Sequence, residues 1–244
     1  MLNMRGQTHP VTTGVPQIIL KFRKGEIVYL QGDPATDWFE VISGTVRTCY
    51  LYSDGHRQLT GFYYPGDVFG IEMGLHQASA EAVTCVTLRR IYRATHEDQS
   101  QQVAKPPHAA SDVLETALRN AHACIFLLGH RTATERLAAF LLATSQRIGG
   151  ERRFQLPMSR SDIADHLGLT IHTVSRTLSE LVRRGMIALQ GPQTILIEDR
   201  AGLHSLAGRD GDEDSGNTHH PYPSDFPFPA NHNFELASAA GRQS

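Results

Sequence analysis

Residues 160–185 read RSDIADHLGLTIHTVSRTLSELVRRG, and their pattern decides how the rest of the chain is organised. Ile163, Ala164 and Leu167 recur at helical spacing, as do Val174, Leu178 and Leu181. Gly168 stands between the two sets, where a sharp turn favours a residue without a side chain. Two short amphipathic helices meeting over a glycine form a helix-turn-helix, predicted here from about Ser159 to Arg184. Interleaved with the apolar positions are Thr170, His172, Thr173, Ser175, Arg176 and Ser179, a polar row on the outer side.

In the usual docking of such a unit the second helix enters the DNA major groove with its N-terminal residues on base edges. Arg176 is the leading base reader, because a guanidinium fork matches the O6 and N7 acceptors of guanine. Ser175, His172 and Thr173 are the other candidates for base contact. Ser159 and Thr170 stand at helix starts, where backbone N–H groups and the helix dipole attract phosphate. Arg160, Ser179 and Arg183 complete the predicted phosphate contacts. Residues 131–200 hold ten arginines, no lysine and seven acidic residues, a surplus of three positive charges. The whole chain is at −2, so the remainder carries −5 and the basic excess sits with the motif.

Working outward, Met186 to Gln190 and Thr194 to Glu198 flank Gly191-Pro192-Gln193 as a hairpin, the expected wing. Upstream, Thr132 to Ile148 reads as a helix carrying Leu137, Phe140 and Leu141, ended by Gly149-Gly150. Before it, Leu114, Leu118, Ala121, Ile125 and Leu128 follow the 4-3-4-3 spacing of a coiled-coil seam. That spacing predicts a dimerisation helix over 109–130, with Ser111 as N-cap after the Pro106-Pro107 break.

The front of the chain has a different rhythm. Glu26 to Gln31, Trp38 to Ile42, Val46 to Tyr52, Gln58 to Tyr64 and Ala82 to Tyr92 are short apolar runs parted by Gly-Asp-Pro, Ser-Gly, Ser-Asp-Gly and Pro-Gly-Asp turns. Regular turn signals at this interval predict a β-roll over 16–108, behind a flexible N-terminus of residues 1–15. From Gly202 onward the composition turns to Gly, Asp, His, Pro and Asn, so 201–244 is expected to be a disordered tail. Its His219-His220 pair and His232 lack a second ligand pair at fixed spacing and read as solvated side chains.

The 244 residues are 40% hydrophobic and 20% charged, the balance of a chain that buries a core. No signal-peptide pattern and no run of about 18 uncharged apolar residues is present, so the expectation is a cytoplasmic protein without a membrane partner. Cys49, Cys85 and Cys124 are odd in number and far apart, which suits reduced thiols packed in a core. No Gly-rich phosphate loop, HExxH pair or Gly-x-Ser-x-Gly elbow occurs, so the sequence is read as that of a non-enzyme.

Three stretches carry a resemblance to the Crp/Fnr family of bacterial regulators and to its FixK-like branch. LPMSRSDIADHLGLTIHTVSRTLSELVRRGMI resembles the family's winged helix-turn-helix, and HRTATERLAAFLL the helix leading into it. FRKGEIVYLQGDPATDWFEVISGTVR and YYPGDVFGIEMG resemble its cyclic-nucleotide-binding-like β-roll. The resemblance implies an α+β chain made of such a β-roll, a long dimerisation helix and a C-terminal winged helix-turn-helix. It also implies a homodimer on an inverted repeat of TTGAT-like half-sites, with double-stranded DNA and RNA polymerase as partners.

Family members that bind a cyclic nucleotide carry an Arg followed by Ser or Thr after the Gly-Asp turn, the Arg pairing with the phosphate. Here Ser79-Ala80-Glu81-Ala82 offers no cation, so no cyclic nucleotide is expected. Nor does the N-terminus hold the group of cysteines that an iron-sulfur cluster takes. The expectation is no cofactor. The alternative is a β-roll pocket that holds haem or another small ligand and controls DNA binding, with His56, His76 and His96 as candidate haem ligands. Many members place Glu four residues before the reading Arg, where this chain has His172, a weaker acceptor for cytosine N4.

Overall fold

The computed structural model describes residues 18–92, 110–129, 132–149 and 152–208. The flexible start expected for 1–15, Pro106-Pro107, His96, His219, His220 and His232 lie outside the described residues.

Eight strands build the front: β1 (Ile18–Phe22), β2 (Ile27–Tyr29), β3 (Asp37–Ser43), β4 (Val46–Leu51), β5 (Arg57–Tyr63), β6 (Val68–Phe69), β7 (Ser79–Ala82) and β8 (Val86–Tyr92). They form two four-stranded antiparallel sheets, β1-β8-β3-β6 and β2-β7-β4-β5. Alternate residues point inward, so Val41, Val46, Phe69, Ala80, Ala82, Val86 and Leu88 close over one apolar interior. Gly44 joins β3 to β4 at φ 85°, and a Cβ there would meet the Cys85 carbonyl oxygen at 2.2 Å, so no side chain fits this turn.

Expected strands 26–31, 38–42, 46–52, 58–64 and 82–92 are all found with bounds shifted by a few residues. Strands β1, β6 and β7 were not anticipated: β1 is an edge strand with little alternation, β6 has only two residues, and β7 ends at Ala82, where the expected 82–92 strand began. Cys85 is exposed, which corrects the expected core role for that thiol, while Cys49 and Cys124 are half-buried, and all three are free.

Behind the roll come α1 (Ala110–Gly129), α2 (Ala133–Arg147), β9 (Arg153–Gln155), α3 (Arg160–Leu167), α4 (Ile171–Arg183), β10 (Ile187–Leu189), β11 (Thr194–Ile197) and α5 (Arg200–Ala207). Ser111 lies inside α1 rather than at its cap, because the helix already includes Ala110. The N-cap of α2 is Thr132, in a capping box with Glu135. The wing hairpin β10–β11 gains a third strand, β9, which pairs with β11 through Phe154 and Ile195.

Residues 200–207 correct the disordered tail expected from 201. Asp199 caps α5 by accepting from the Gly202 N–H at 2.8 Å, and Leu203 and Leu206 are buried where α5 packs on α2. The pair sits three apart, a single helical step that a compositional reading passes over.

One apolar core runs from α2 through α3, α4, the wing and α5, and it takes in Tyr64 and Val83 of the roll. The DNA-binding unit is therefore docked on the roll. Asp67, in the β5–β6 turn, is ion-paired with Arg147 of α2, whose guanidinium lies 5.3 Å above the Tyr64 ring. Burial raises the Asp67 carboxyl above its ordinary value, and the Arg147 charge offsets only part of that rise.

Candidate nucleic-acid interface

Helix α3 starts in a reciprocal cap. The Ser159 hydroxyl accepts from the Asp162 N–H at 3.1 Å, and Asp162 Oδ2 accepts from the Ser159 N–H at 3.0 Å and from its hydroxyl at 2.8 Å. Gly168 ends α3 in the left-handed region at φ 63°, and Leu169 N–H returns to the Ala164 carbonyl at 2.9 Å. Thr170 then caps α4, accepting from the Thr173 N–H at 3.1 Å. Ile163, Ala164 and Leu167 are buried against Val174, Leu178 and Leu181, as the periodicity predicts.

The opposite face of α4 is open. His172, Arg176 and Ser179 are exposed, and Thr173 and Ser175 are half-buried. Among the described residues neither the Arg176 nor the His172 side chain makes a hydrogen bond or ion pair, so the guanidinium fork has all its donors available. Ser175 Oγ accepts from Arg160 Nη1 at 3.2 Å, which links a predicted phosphate contact on α3 to a predicted base reader on α4. The Ser179 hydroxyl bonds back to the Ser175 carbonyl at 3.1 Å.

Arg183 forks onto Glu180 at 2.9 and 2.7 Å, and Arg184 Nε reaches the same carboxylate at 2.7 Å. These hydrogen bonds hold the Glu180 carboxyl down at about 2. A phosphate must therefore compete with Glu180 for Arg183, and with the α3 cap for the Ser159 hydroxyl. Thr170 is likewise engaged with Thr173, Oγ to Oγ at 2.9 Å.

On α1 the predicted seam is laid bare. Leu114, Leu118 and Ile125 are more than half exposed, Ala121 is exposed and Leu128 is 37% exposed, whereas Val113 faces inward at 6%. Five outward apolar groups at seam spacing on a 20-residue helix form a continuous uncovered stripe.

Sequence reading missed a set on the far side of α3. Asp162, Asp165 and His166 meet the roll: Arg57 reaches Asp165 at 2.5 Å, Gln58 Nε2 donates to the Asp165 carbonyl at 2.8 Å, and the His166 ring lies 3.3 Å from the Leu59 carbonyl. Burial holds the His166 imidazole below its ordinary value, which favours the neutral ring. The signal was the i, i+3, i+4 spacing of three titratable residues beside the apolar face.

Among the described residues of the roll, no cation turned into the interior is left unpaired. Its described cations are either exposed, as Lys21, Arg23 and Lys24 are, or paired with carboxylates: Arg47 with Glu81 and Asp162, Arg57 with Asp165, Arg89 with Glu40, and Arg90 with Asp37. Strand β7 turns Ala80 and Ala82 inward, and the buried polar atoms without a partner among the described residues are the Tyr29 hydroxyl, Asp37 Oδ1, Trp38 Nε1 and the Nε atoms of Arg47 and Arg89, whose terminal nitrogens are already paired. Of the candidate haem ligands, His76 is buried, stacked on Tyr29 with ring centroids 3.6 Å apart and bonded to Glu72 at 3.2 Å, while His56 sits at the β4–β5 turn. Among the described residues no group of three His, Cys, Asp or Glu is placed to hold a metal ion, and no helix is long and apolar enough to cross a membrane.

A roll docked on a winged helix-turn-helix, with an open reading helix, defines a class of DNA-binding regulators, and comparison with known proteins agrees. Residues 135–206 match the Crp-like helix-turn-helix domain, and residues 19–102 match the cyclic nucleotide-binding domain. The chain is 38% identical over 198 residues to the nitrogen fixation regulation protein FixK of Rhizobium meliloti, covering 81% of this chain and 90% of that protein. It is 32% identical over 193 residues to the fumarate and nitrate reduction regulatory protein of Salmonella typhi, covering 76% and 77%. The structure of FixK2 from Bradyrhizobium japonicum superposes with a TM-score of 0.71 at 38% identity, over 79% of this chain and 98% of that one. The chain belongs to the Crp/Fnr family of transcription regulators, in its FixK-like branch.

Proposed function

We propose that this protein acts in the cytoplasm as a homodimeric regulator, seated on an inverted repeat of TTGAT-like half-sites, that activates genes in a low-oxygen or nitrogen-fixation setting. The observation that carries the reading is Arg176, exposed and unpaired among the described residues, on a helix whose opposite face is buried. The names of the FixK relatives supply the physiological setting. The uncovered stripe from Leu114 to Leu128 supports pairing of two copies, and contact with RNA polymerase follows from the regulator class.

Arg176 reads guanine, with Ser175, His172 and Thr173 as neighbouring base contacts. Ser159, Arg160, Thr170, Ser179 and Arg183 bind phosphates, the arginines by exchanging intramolecular partners for the DNA backbone. The paired cations and the inward Ala80 and Ala82 support a roll that does not answer to cyclic nucleotides, so the amount of protein sets its activity. Selection of purified protein against randomised half-sites tests the reading: a TTGAT-like inverted repeat should emerge, and an absence of any preferred sequence refutes it.

One feature favours a ligand-responsive second reading. A cavity of about 240 Å³ lies between the roll, α1 and α2, lined by Phe62, Tyr63, Phe69, Cys124, Phe140 and His166. It is small and mostly apolar, so it suits a compact uncharged ligand rather than a nucleotide. Native mass spectrometry of freshly isolated protein separates the two readings by the presence or absence of added mass.

A further inference from the structure

Two strands of the roll, β4 and β5, each send one arginine to the first helix of the helix-turn-helix. Arg47, on β4, is ion-paired with Asp162 through one terminal nitrogen and reaches Glu81 of β7 at 2.7 Å through the other. Arg57, on β5, places Nη2 2.5 Å and Nε 3.0 Å from Asp165 Oδ2, with Nη2 also 3.4 Å from Asp162 Oδ1. The result is a chain of alternating charge, Glu81–Arg47–Asp162–Arg57–Asp165, that starts in the roll and ends on α3. The Asp162 side chain is 5% exposed and that of Arg47 15%, so solvent screens this part of the chain weakly.

Asp162 has two tasks at once. Its Oδ2 closes the cap of α3 with Ser159, and its Oδ1 accepts from the roll. The start of α3 is thus fixed to the roll and to its own first turn by one carboxylate. One turn along, Gln58 Nε2 on the Asp165 carbonyl and the His166 ring near the Leu59 carbonyl add two ties to the backbone. Phe62 meets the His166 ring edge-on at 5.1 Å.

None of these residues lies on the reading face, and His172, Arg176 and Ser179 stay open while the chain of charge is closed. Because α3 packs on α4 through Ile163, Ala164 and Leu167, fixing α3 fixes the direction of α4. Helix α1, bearing the dimer seam, packs against α2 and β6, so the roll is the common support between the seam and the reading helix.

We propose that Arg47 and Arg57 are positioning residues for DNA recognition: held by Asp162 and Asp165, they set the pose of α4 on the roll and so the spacing between the two half-sites that a dimer reads. This rests on the dimeric inverted-repeat reading above. Neither arginine touches DNA. Loosening them leaves the sequence of each half-site unchanged and widens the range of spacings that bind.

The test uses the full-length protein on inverted repeats with the native spacer and with spacers one base pair longer or shorter. Arg57→Ala and Arg47→Ala are each expected to weaken binding to the native spacer several-fold and to bring the affinities for the three spacers closer together. Half-site preference should stay as in wild type. The exchanged pair Arg57→Asp with Asp165→Arg is expected to restore spacer selectivity, which a merely destabilised fold does not do.

Amide hydrogen exchange on the DNA-free protein reads the same contacts independently and is expected to quicken in α3 and β5 of Arg57→Ala. Unchanged spacer selectivity in both single variants, or exchange in α3 unchanged by Arg57→Ala, overturns the proposal. If wild-type protein shows no preferred repeat, the inverted-repeat reading has failed, and the exchange measurement alone decides whether the arginines hold α3.

Discussion

Helices α3 and α4 make an instructive pair. Both are short and amphipathic, both begin at a hydroxyl cap, and each buries one apolar face against the other. Their remaining faces differ completely. The outward row of α4 is open at His172, Arg176 and Ser179, with Arg176 unpaired among the described residues, whereas the outer face of α3 meets β5 and the Arg47 side chain of β4, with Asp162 and His166 buried. Polar residues at matching helical positions thus do opposite work, one set kept available for another molecule and the other joined within this one. What lies over a face, rather than its composition, decides which.

The largest effect that breaks this comparison comes from the contact the two helices share. Leu167 is fully buried at the turn, and Leu167→Ala should cost about 2–5 kcal/mol in chemical denaturation while DNA binding falls with the folded fraction. Arg176→Ala separates the helices next. If Arg176 reads guanine as proposed, discrimination at that base should fall by about 1–3 kcal/mol in binding titrations, with unfolding unchanged because the side chain is exposed and unpaired among the described residues. Equal binding of guanine-bearing and guanine-less sites by wild type and variant defeats the assignment.

On α3, Ser159→Ala removes half of the reciprocal cap and should lower stability by about 1 kcal/mol, read as an earlier denaturation midpoint. His166 sharpens the contrast through pH. Its folded-state value is depressed, so its contribution is present above the ordinary histidine value of 6.5 and is lost as pH falls through the lower folded value. Denaturation between about pH 7.5 and pH 5.5 should therefore show a loss of stability on acidification that His166→Gln reduces.

The smallest effect belongs to Arg183. It pairs with Glu180 on an open surface, where such pairs contribute little, so Arg183→Ala should leave unfolding almost unchanged. If it exchanges Glu180 for phosphate, binding should weaken alike for all sequences, with the slope of log affinity against log salt falling by about 1.

Much of the reading unit was legible because helical period and a turn glycine are local signals. The inner faces of α3 and α4, the turn at Gly168, the wing hairpin and the seam on α1 all follow from spacing within a few residues. Several strands of the roll were legible through their turns, while β6 and β9, of two and three residues, are held by partners far along the chain. Helix α5 was lost for a similar reason: only Leu203 and Leu206 mark it, and α2 supplies the surface that buries them.

The sequence by itself determined the helix-turn-helix, the outward polar row from Thr170 to Ser179, and the missing cation after the Gly-Asp turn of the roll. Each is a matter of residue type at short range, which period and chemistry carry without coordinates. Only the tertiary structure decided that Arg47 and Arg57 reach Asp162 and Asp165, more than 100 residues away. Ion pairs at that separation have no period to betray them, because their partners meet only after two independently patterned units have folded and docked.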